Sequence, residues 1–436
     1  MTEPRVDAWI RLLADHFSSA FPQRLDAPRT IGREAEYPVV RADGAAAEVA
    51  DLWAPLMALD PGLTAKREGD LIVGLVSDQV EFSAEVGRGT IELITGPEPD
   101  LHGIRARHDA ALDHLTEACR PLGYQVLGYG IQPVTPATPA FMTPKARYGV
   151  LLDVIGESWL WFTLTASDQV HLDLARDELT PITDLGNLLA GVTVALTANS
   201  PIFGGADCGA VSAREKEMGA IHAGSDRHGM PRAADGDCGA MIRRYVGQAH
   251  LLSWDGARKV RGDGDFSDWL AQREPGALDD PAQADVWEAF LLHEHYIWNS
   301  ARPRTAHATL ELRAACQQPL DTHMAATALG AALVEGAPAI AQVLADALGG
   351  DPWPAMRRYH HDAVRSGLRA DEPAPGLVRA ILEAGRDALG ARGLGEEAYL
   401  APLFDRLERR SSPAHDALAA FESGGAAALI AHAARR

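Results

Sequence analysis

Acidic side chains recur at two-residue spacing in several short segments that alternate polar and apolar residues. Successive side chains of a β-strand point to opposite faces of a sheet, so residues two apart share a face. Five predicted strands therefore place polar groups on one face, opposite aliphatic residues. These groups are Glu34 and Glu36 in 30–40, Glu81, Ser83 and Glu85 in 80–86, Glu92 in 90–94, Gln169, His171 and Asp173 in 169–174, and Glu311 and Arg313 in 309–313.

A cation is expected at the acidic face of these strands. One such strand alone is typical of a half-exposed sheet with solvated charges. Five together are unusual, because acidic residues are depleted in strands and like charges on neighbouring strands repel. Glutamates with a single imidazole suit Mg²⁺ or Mn²⁺ better than zinc, which prefers thiolates and several histidines. Such ions, kept partly hydrated, most often hold nucleotide phosphates.

The overall composition excludes several classes of partner. The chain has 436 residues, with 40 Lys and Arg against 60 Asp and Glu, a formal net charge of −20. Nucleic acid and anionic membrane surfaces are disfavoured, because both attract basic proteins. The 47% of hydrophobic residues is typical of a globular chain. With no apolar run of roughly 18 residues, no secretory signal and four scattered cysteines, we expect a cytoplasmic protein that acts on small molecules.

The predicted elements indicate an α+β chain that forms one domain, 1–436. Strands are expected in a core at about 28–320, interrupted by helices at 100–120, 143–155 and 181–196. Residues 206–281, rich in Gly, Asp, Arg and His, are expected to form loops and short helices that cover a site. The segment 321–436 has helical periodicity. Because strands and helices do not alternate regularly, the pattern favours a largely antiparallel sheet.

Several motifs occur in an order and spacing that resemble one enzyme family. They are Gly32-Arg33-Glu34-Ala35-Glu36, Ile91-Glu92-Leu93 with Gly96-Pro97, GYGIQP at 128–133 with MTPKARY at 142–148, QVHLD at 169–173, ANSP at 198–201 and Leu310-Glu311-Leu312-Arg313. Together they resemble the glutamate–cysteine ligases, especially the plant-type branch also found in bacteria. That family belongs to the glutamine synthetase-like carboxylate–amine ligases. The resemblance covers nearly the whole chain.

The resemblance implies a fold, a reaction and a set of metal ligands. The fold is an open antiparallel sheet of about six strands, curved into an active-site funnel with helices on its back. The reaction uses ATP and Mg²⁺ or Mn²⁺ to phosphorylate a carboxylate, most simply the γ-carboxylate of glutamate, and an amine then attacks the acyl phosphate. The implied metal ligands are Glu34, Glu36, Glu85, Glu92, His171 and Glu311.

Four residues are candidates for catalysis and for binding phosphate groups. Arg313 shares a face with Glu311 and is expected to stabilise the transferring phosphoryl group. A structural ion pair between these two residues is the alternative. Lys145 and Arg147 are expected to hold nucleotide phosphates or a substrate carboxylate, with solvated charges at a helix end as the alternative.

Three further residues are expected to bind substrate. Arg214 lies where the family has an arginine for the α-carboxylate of the acceptor amino acid, and a guanidinium matches a carboxylate with two parallel hydrogen bonds. Arg227, in an Asp-Arg pair that resembles one in the family, is a second candidate. Gln169 lies on the acidic face and is a third.

Two segments depart from the family pattern. The family reads Gly-Ala-Asp-Gly-Gly-Pro-Trp after its Glu-x-Arg strand, whereas residues 314–320 read AACQQPL. The family's Arg-Ser-His-Ile-Trp is replaced by REKEM at 214–218. Because both segments shape substrate pockets, cysteine as the amine and glutathione biosynthesis as the context are defaults, and a different amine in a specialised pathway is a rival. A small-molecule kinase of the same fold and a non-catalytic homologue are the remaining alternatives.

Overall fold

The computed structural model describes residues 2–221 and 225–435. Its strands are mostly short, and the longest lie at the centre of one large sheet. In chain order they are β1 Ile31–Val40, β2 Thr64–Glu68, β3 Leu71–Val76, β4 Glu81–Ala84, β5 Thr90–Glu98, β6 Gln125–Val126, β7 Asp168–Asp173, β8 Ile202–Phe203, β9 Ala206–Asp207, β10 His228–Gly229, β11 Leu252–Asp255, β12 Arg258–Arg261, β13 Trp298–Asn299, β14 Ala301–Arg304 and β15 Thr309–Leu312.

The large sheet is open and antiparallel. Its strand order is β14-β15-β7-β1-β5-β4-β3-β2, and β6 pairs with the end of β1. The expected fold class is confirmed, although the described sheet has nine strands rather than about six. The sequence pattern did not predict β2, because every one of its residues is exposed and no apolar face marks it. It also missed β14, in which Pro303 interrupts the strand pattern.

The face of the sheet opposite the acidic residues is apolar and packs against helices. One core joins β1, β4 and β5 to the second and third helices, and another joins β7 and β15 to helices later in the chain. Each large apolar side chain buried in this way contributes about 1.5–3 kcal/mol to the free energy of folding. The fully buried strand residues in the two cores include Ala35, Tyr37, Phe82, Leu93, Leu172 and Leu310.

The helices are concentrated in the second half of the chain. Short 3₁₀ turns separate several of them. In chain order the α-helices are α1 Thr2–Ser19, α2 Trp53–Leu59, α3 Leu101–Cys119, α4 Ala146–Ile155, α5 Leu179–Leu188, α6 Ala190–Thr197, α7 Ala213–Ile221, α8 Cys238–Val246, α9 Phe266–Ala271, α10 Ala284–His295, α11 Met324–Glu335, α12 Ala337–Leu348, α13 Trp353–Ser366, α14 Leu377–Ala391, α15 Ala401–Arg409 and α16 Pro413–Ala433.

The predicted helices agree with the structure in position but not in every boundary. The helix expected at 100–120 is α3, and the Asp100 carboxylate caps it by accepting a hydrogen bond of 2.8 Å from the backbone N–H of Gly103. The helix expected at 143–155 begins only at Ala146, because Lys145 has extended backbone angles. The single helix expected at 181–196 is two helices, α5 and α6, that meet at 47°.

No single helix among the described residues is long and apolar enough to cross a membrane. Two bent pairs reach that length only together, α5 with α6 at 47° and α11 with α12 at 80°. Most of the apolar residues in these pairs lie within the protein core.

Candidate active site

The antiparallel register brings the acidic side chains of the central strands together. Glu36 on β1 lies directly opposite Glu92 on β5, and Glu92 lies opposite Ser83 on β4. Towards the other edge, His171 on β7 lies opposite Glu311 on β15. Alternation along each strand puts these groups on one face, and the pairing between strands makes them neighbours.

All six predicted metal ligands fall into two groups of three. We call Glu34, His171 and Glu311 the histidine triad, and Glu36, Glu85 and Glu92 the acidic triad. Within each triad the ligand atoms lie within 4.8 Å of one another. Glu34 and Glu36 are two residues apart on β1, so the triads are neighbours along that strand. Five carboxylates and one imidazole are a donor set that suits Mg²⁺ or Mn²⁺.

Glu311 is the most heavily paired carboxylate of the histidine triad. Its side chain is 1% exposed and accepts hydrogen bonds from Arg302 Nε at 2.6 Å and Arg302 Nη2 at 3.2 Å. Arg313 also donates to it, and Arg304 Nε lies 3.6 Å from Oε2. Burial favours the neutral form, but Arg302, Arg313 and Arg304 together hold the pKa of Glu311 well below its ordinary value. Glu311 is therefore ionised and held in a defined orientation.

His171 and Glu34 complete the histidine triad as a close pair. His171 Nε2 lies 3.2 Å from Glu34 Oε1, and His171 Nδ1 lies 3.3 Å from Thr309 Oγ1. Burial acts to lower the pKa of His171, yet Glu34 and Glu311 raise it overall. The same two carboxylates would favour a cation at this triad, with the neutral imidazole as its third ligand.

The acidic triad carries more negative charge than its surroundings neutralise. Glu36 and Glu92 are 9% and 8% exposed. Burial and the nearby Glu85 raise the pKa of Glu36 to about 7 and that of Glu92 well above its ordinary value. Such a group of carboxylates is unfavourable without a cation, because each ionised oxygen repels the others. The acidic triad thus fits a divalent ion on charge as well as on donor chemistry.

Gln169 connects the acidic triad to Arg313. Its Nε2 donates to Glu36 Oε1 at 3.2 Å and to Ser167 Oγ at 3.0 Å, while its Oε1 accepts from Arg313. Arg313 also donates to Glu311, so its guanidinium lies between the two triads. The ion pair with Glu311, which was the alternative to a catalytic role, is present, and Arg313 also reaches Gln169 on the shared polar face. Its role towards a phosphoryl group stays a prediction.

Lys145 lies beside the acidic triad, whereas Arg147 lies at the rim. Lys145 is 5% exposed, and its Nζ donates to the Ala84 carbonyl at 2.7 Å. Burial lowers its pKa, against the attraction of Glu85. A solvated charge at a helix end is therefore the wrong description of Lys145. Arg147 instead pairs with Glu68 on β2 at 2.8 Å, near the exposed edge of the sheet.

Arg214 lies on α7, and its side chain contacts the backbone just after β15, at the catalytic candidate Arg313. Its Nη2 donates to the Arg313 carbonyl at 2.9 Å and its Nη1 to the Ala314 carbonyl at 3.4 Å. Arg214 is 6% exposed and helps to lower the pKa of Glu36 against the effect of burial. It is thus close enough to influence the site, with part of its donor capacity directed to the backbone.

Arg227 does not reach the acidic face. It is 1% exposed, and its guanidinium donates to the Tyr296 carbonyl at 2.7 Å and to the Ala249 carbonyl. Burial lowers its pKa to about 9, with only Asp265 opposing this effect. Its donors hold two backbone segments together, so Arg227 is not brought together with the triads, and its expected contact with substrate stays a prediction.

Arg302 and Arg304 are site residues that sequence reasoning missed. Both lie on β14, and the register places Arg302 opposite Glu311 and Arg304 opposite Thr309. The only sequence signal is their two-residue spacing in Ala301–Arg304, which Pro303 obscures. Arg302 also donates to the carbonyls of His295 and Ile297, at 2.7 and 3.0 Å.

Replacing Arg302 by lysine is expected to lower the free energy of unfolding by about 3 kcal/mol. An ammonium group cannot keep both hydrogen bonds to Glu311 and both to the backbone carbonyls. The loss is measured by urea unfolding followed by circular dichroism. Arg147→Lys, at the half-exposed rim, is the matched control and should stay within about 0.5 kcal/mol of the parent protein. Equal stability of Arg302→Lys and the parent would contradict the proposed orienting role.

Comparison with solved structures supports the same fold. A glutamate–cysteine ligase from Francisella tularensis, crystallised in complex with AMP, superposes with a TM-score of 0.54. The superposition covers 94% of this chain and 87% of that chain, at 10% sequence identity. At this identity the similarity shows the fold alone.

Curated relatives and a family profile identify the family. The chain is 32% identical over 211 residues to the glutamate–cysteine ligase EgtA of Mycolicibacterium smegmatis, covering 45% of this chain and 48% of that protein. It is 33% identical over 127 residues to a putative glutamate–cysteine ligase 2-1 of an Arthrobacter strain, covering 29% and 33%. The matches thus span about a third to a half of these relatives. The profile described as glutamate–cysteine ligase family 2 matches residues 30–432. The chain belongs to glutamate–cysteine ligase family 2.

Proposed function

We propose that the protein is a ligase that uses ATP and a divalent cation to join a carboxylate to an amine through an acyl phosphate. The γ-carboxylate of glutamate is the proposed carboxylate, and cysteine is the default amine, which would give the γ-glutamylcysteine used in glutathione biosynthesis. The single observation that carries this proposal is that the two triads are neighbours, with one member of each on β1, and that Gln169 and Arg313 connect them.

The chemistry needs charge neutralisation more than a protein nucleophile. A carboxylate oxygen attacks the γ-phosphorus of ATP and ADP leaves. The amine nitrogen then attacks the acyl carbon, phosphate leaves, and the nitrogen loses a proton to give the amide. Bound Mg²⁺ or Mn²⁺, held by the two triads, would neutralise phosphate charge and orient the phosphoryl group. Arg313 adds a fixed positive charge between the triads, where negative charge develops in both steps. Gln169 holds that guanidinium in place.

The identity of the amine is a second question, because the chain departs from the family pattern next to the site. Gln317 and Gln318 replace part of the glycine-rich family segment, and both are fully buried with their amides bonded to backbone carbonyls. Glu215 adds a buried carboxylate, 3.4 Å from Arg214 Nη1, to a cavity of about 780 Å³. An acceptor that donates hydrogen bonds to this carboxylate is the rival to cysteine.

The proposed reaction predicts a specific transfer of oxygen. Purified protein with MgATP, glutamate labelled with ¹⁸O in its γ-carboxylate and a panel of amines should release ADP. One ¹⁸O atom should appear in the inorganic phosphate, because the bond from the acyl carbon to the bridging oxygen breaks and phosphate leaves with that oxygen of the original carboxylate. Mass spectrometry of phosphate and of the amide product measures both. Chelation of divalent cations with EDTA should abolish turnover, since the phosphate groups would lose the cations that the two triads are proposed to hold.

Other outcomes identify the alternatives. ADP with a stable phosphorylated small molecule and no amide would indicate a kinase. Nucleotide or amino-acid binding without ADP release for any amine would indicate a non-catalytic homologue. Amide formation with an amine other than cysteine would retain the ligase and replace its default substrate.

A further inference from the structure

The cavity of about 780 Å³ beside Arg214 lies between α7, β10 and α13. A volume in this range is typical of pockets that enclose a drug-sized molecule, so cysteine would fill only a small part of it. One end of the cavity is next to Arg313. Gly229 on β10 lines the cavity and accepts a hydrogen bond of 3.0 Å from the Ser300 N–H, and the Ser300 carbonyl accepts one of 2.8 Å from the Arg313 N–H. We call this end the inner end.

The inner end carries one buried carboxylate and two imidazoles. Glu215 is 5% exposed, and its Oε1 lies 3.5 Å from His360 Nε2. Burial favours the neutral carboxyl group, but His360, His228 and Arg214 lower the pKa of Glu215 to about 2. The buried atoms His228 Nδ1 and His360 Nε2 have no hydrogen-bond partner in the part of the chain that the structure describes, which is uncommon in folded proteins. The inner end therefore suits a ligand group with N–H donors.

The outer wall of the cavity is one face of α13. Five lining residues recur at the spacing i, i+3, i+4, i+7 and i+8, which places them on one side of a helix. They are Arg357, His360, His361, Val364 and Arg365. Arg357 and Arg365 are exposed, and neither guanidinium has an ion-pair or hydrogen-bond partner among the described residues. Two uncompensated arginines thus lie along the wall of a cavity that reaches the candidate active site.

The lining of the cavity is basic although the chain as a whole is acidic. Its described residues include four Lys and Arg but only two carboxylates, whereas the formal net charge of the chain is −20. One of the two carboxylates, Asp226, lies 3.6 Å from Arg232, and the other is Glu215 at the inner end. Cations concentrated in a cleft attract anions, and a guanidinium matches a carboxylate or a phosphate group. The outer end therefore suits an anionic group.

We propose that the acceptor amine of this ligase carries an anionic group, a carboxylate or a phosphate, at the end away from its amino group. This inference rests on the proposed function and names the class of the second substrate. The amine N–H groups face Glu215 at the inner end, and the anionic group faces Arg357 and Arg365. Glu215 lies in a segment that departs from the family pattern, and α13 carries none of the motifs that resemble the family. The preference is therefore a property of this chain.

The test compares acceptors that differ in the charge of their far end. ADP release above the level with glutamate and MgATP alone is measured for S-carboxymethylcysteine against its neutral amide, S-carbamoylmethylcysteine, and for O-phosphoserine against serine. The kcat/KM of the anionic member should be higher roughly 10-fold or more in at least one pair, and the pair that shows it distinguishes a carboxylate from a phosphate. About 0.5 M NaCl should reduce the preference, because salt screens exposed charges.

Substitutions on α13 locate the preference. Arg357→Gln combined with Arg365→Gln should lower kcat/KM for the anionic acceptor roughly 10-fold and bring it to the level of the neutral one. The ratio between the two acceptors is the readout, because a general loss of folded protein lowers both alike. Arg358→Gln is the matched control and should keep the ratio of the parent. Arg358 is exposed on the same helix but does not line the cavity.

The outcomes separate this inference from the ligase proposal. Turnover with equal kcat/KM for the anionic and neutral members of both pairs would overturn the inference while the ligase proposal stands. A preference for the anionic acceptor that survives in the double variant would overturn it as well. If no amine raises ADP release above the level with glutamate and MgATP alone, both proposals are overturned.

Discussion

Glu311→Gln is expected to lower ligase turnover on the order of 1000-fold or more. The amide keeps the shape of the side chain but removes the charge that the histidine triad offers to a cation. It also leaves Arg302 and Arg313 without their anionic partner between the triads. Turnover is measured as ADP release with glutamate and the best amine of the panel.

The same substitution is expected to destabilise the fold. Glu311 is 1% exposed and compensates Arg302 on β14 and Arg313, the residue that follows β15. Removing one partner of a buried ion pair leaves uncompensated charge, which costs about 3–5 kcal/mol. Urea unfolding measures this loss, and turnover is then assayed well below the unfolding transition. Glu81→Gln is the matched control, because Glu81 lies on β4 outside both triads and pairs with a half-exposed Lys66. Wild-type turnover of folded Glu311→Gln would refute its catalytic assignment.

Glu92→Gln is expected to abolish turnover to a similar extent but to stabilise the metal-free protein. Glu92 is buried against Glu36 and Glu85. Among the described cations, Lys145 lowers the pKa of Glu92, but burial in turn lowers the pKa of Lys145 and so disfavours its charged form. Removing one negative charge from this triad relieves repulsion and should raise the free energy of unfolding on the order of 1 kcal/mol. Thermal unfolding in EDTA measures the gain.

The dependence of this gain on pH follows from the sign of the pKa shift. Burial and Glu85 raise the pKa of Glu92 above the ordinary value of 4.5, so the folded protein holds the proton more tightly than the unfolded chain. Stability therefore falls as pH rises above that value, and glutamine removes the loss. The variant should match the parent near about pH 4 and exceed it near about pH 8. Mg²⁺ should raise the unfolding temperature of the parent more than that of Glu92→Gln. A destabilised variant in EDTA would contradict the account of the acidic triad.

The two substitutions are informative as a pair. Each replaces a buried glutamate by glutamine on the same face of the same sheet. Glu311 is surrounded by arginines and Glu92 by carboxylates, so the expected changes in stability have opposite signs. Both variants are expected to lose turnover, because catalysis depends on the negative charge of each glutamate and not on the stability of the unliganded fold.

Most of the candidate metal ligands were predictable because their signal is local. Alternation along one strand is enough to place Glu34 with Glu36, or Glu311 with Arg313, on a single face. A cation is expected because the carboxylates on such a face repel one another. The structure confirms that the six residues lie in two close groups of three. Whether they bind metal stays a prediction that the Mg²⁺ experiments test.

Other features were beyond local reasoning because they depend on contacts distant in sequence. Arg302 lies next to Glu311 only because β14 pairs with β15. Arg227 resembled a substrate residue, yet its donors are taken by carbonyls of the segments around Ala249 and Tyr296.

The sequence by itself determined the fold class, the acidic face and the residue types that can hold a divalent cation, since these depend on the two-residue period of strands and on side-chain chemistry. The tertiary structure alone decided how the six ligands divide into two triads, which carboxylates are neutralised and which are not, and which arginines reach them. The physical reason is that strand register, burial and charge pairing are set between segments far apart in the chain, and pKa shifts follow from those neighbours rather than from the local sequence.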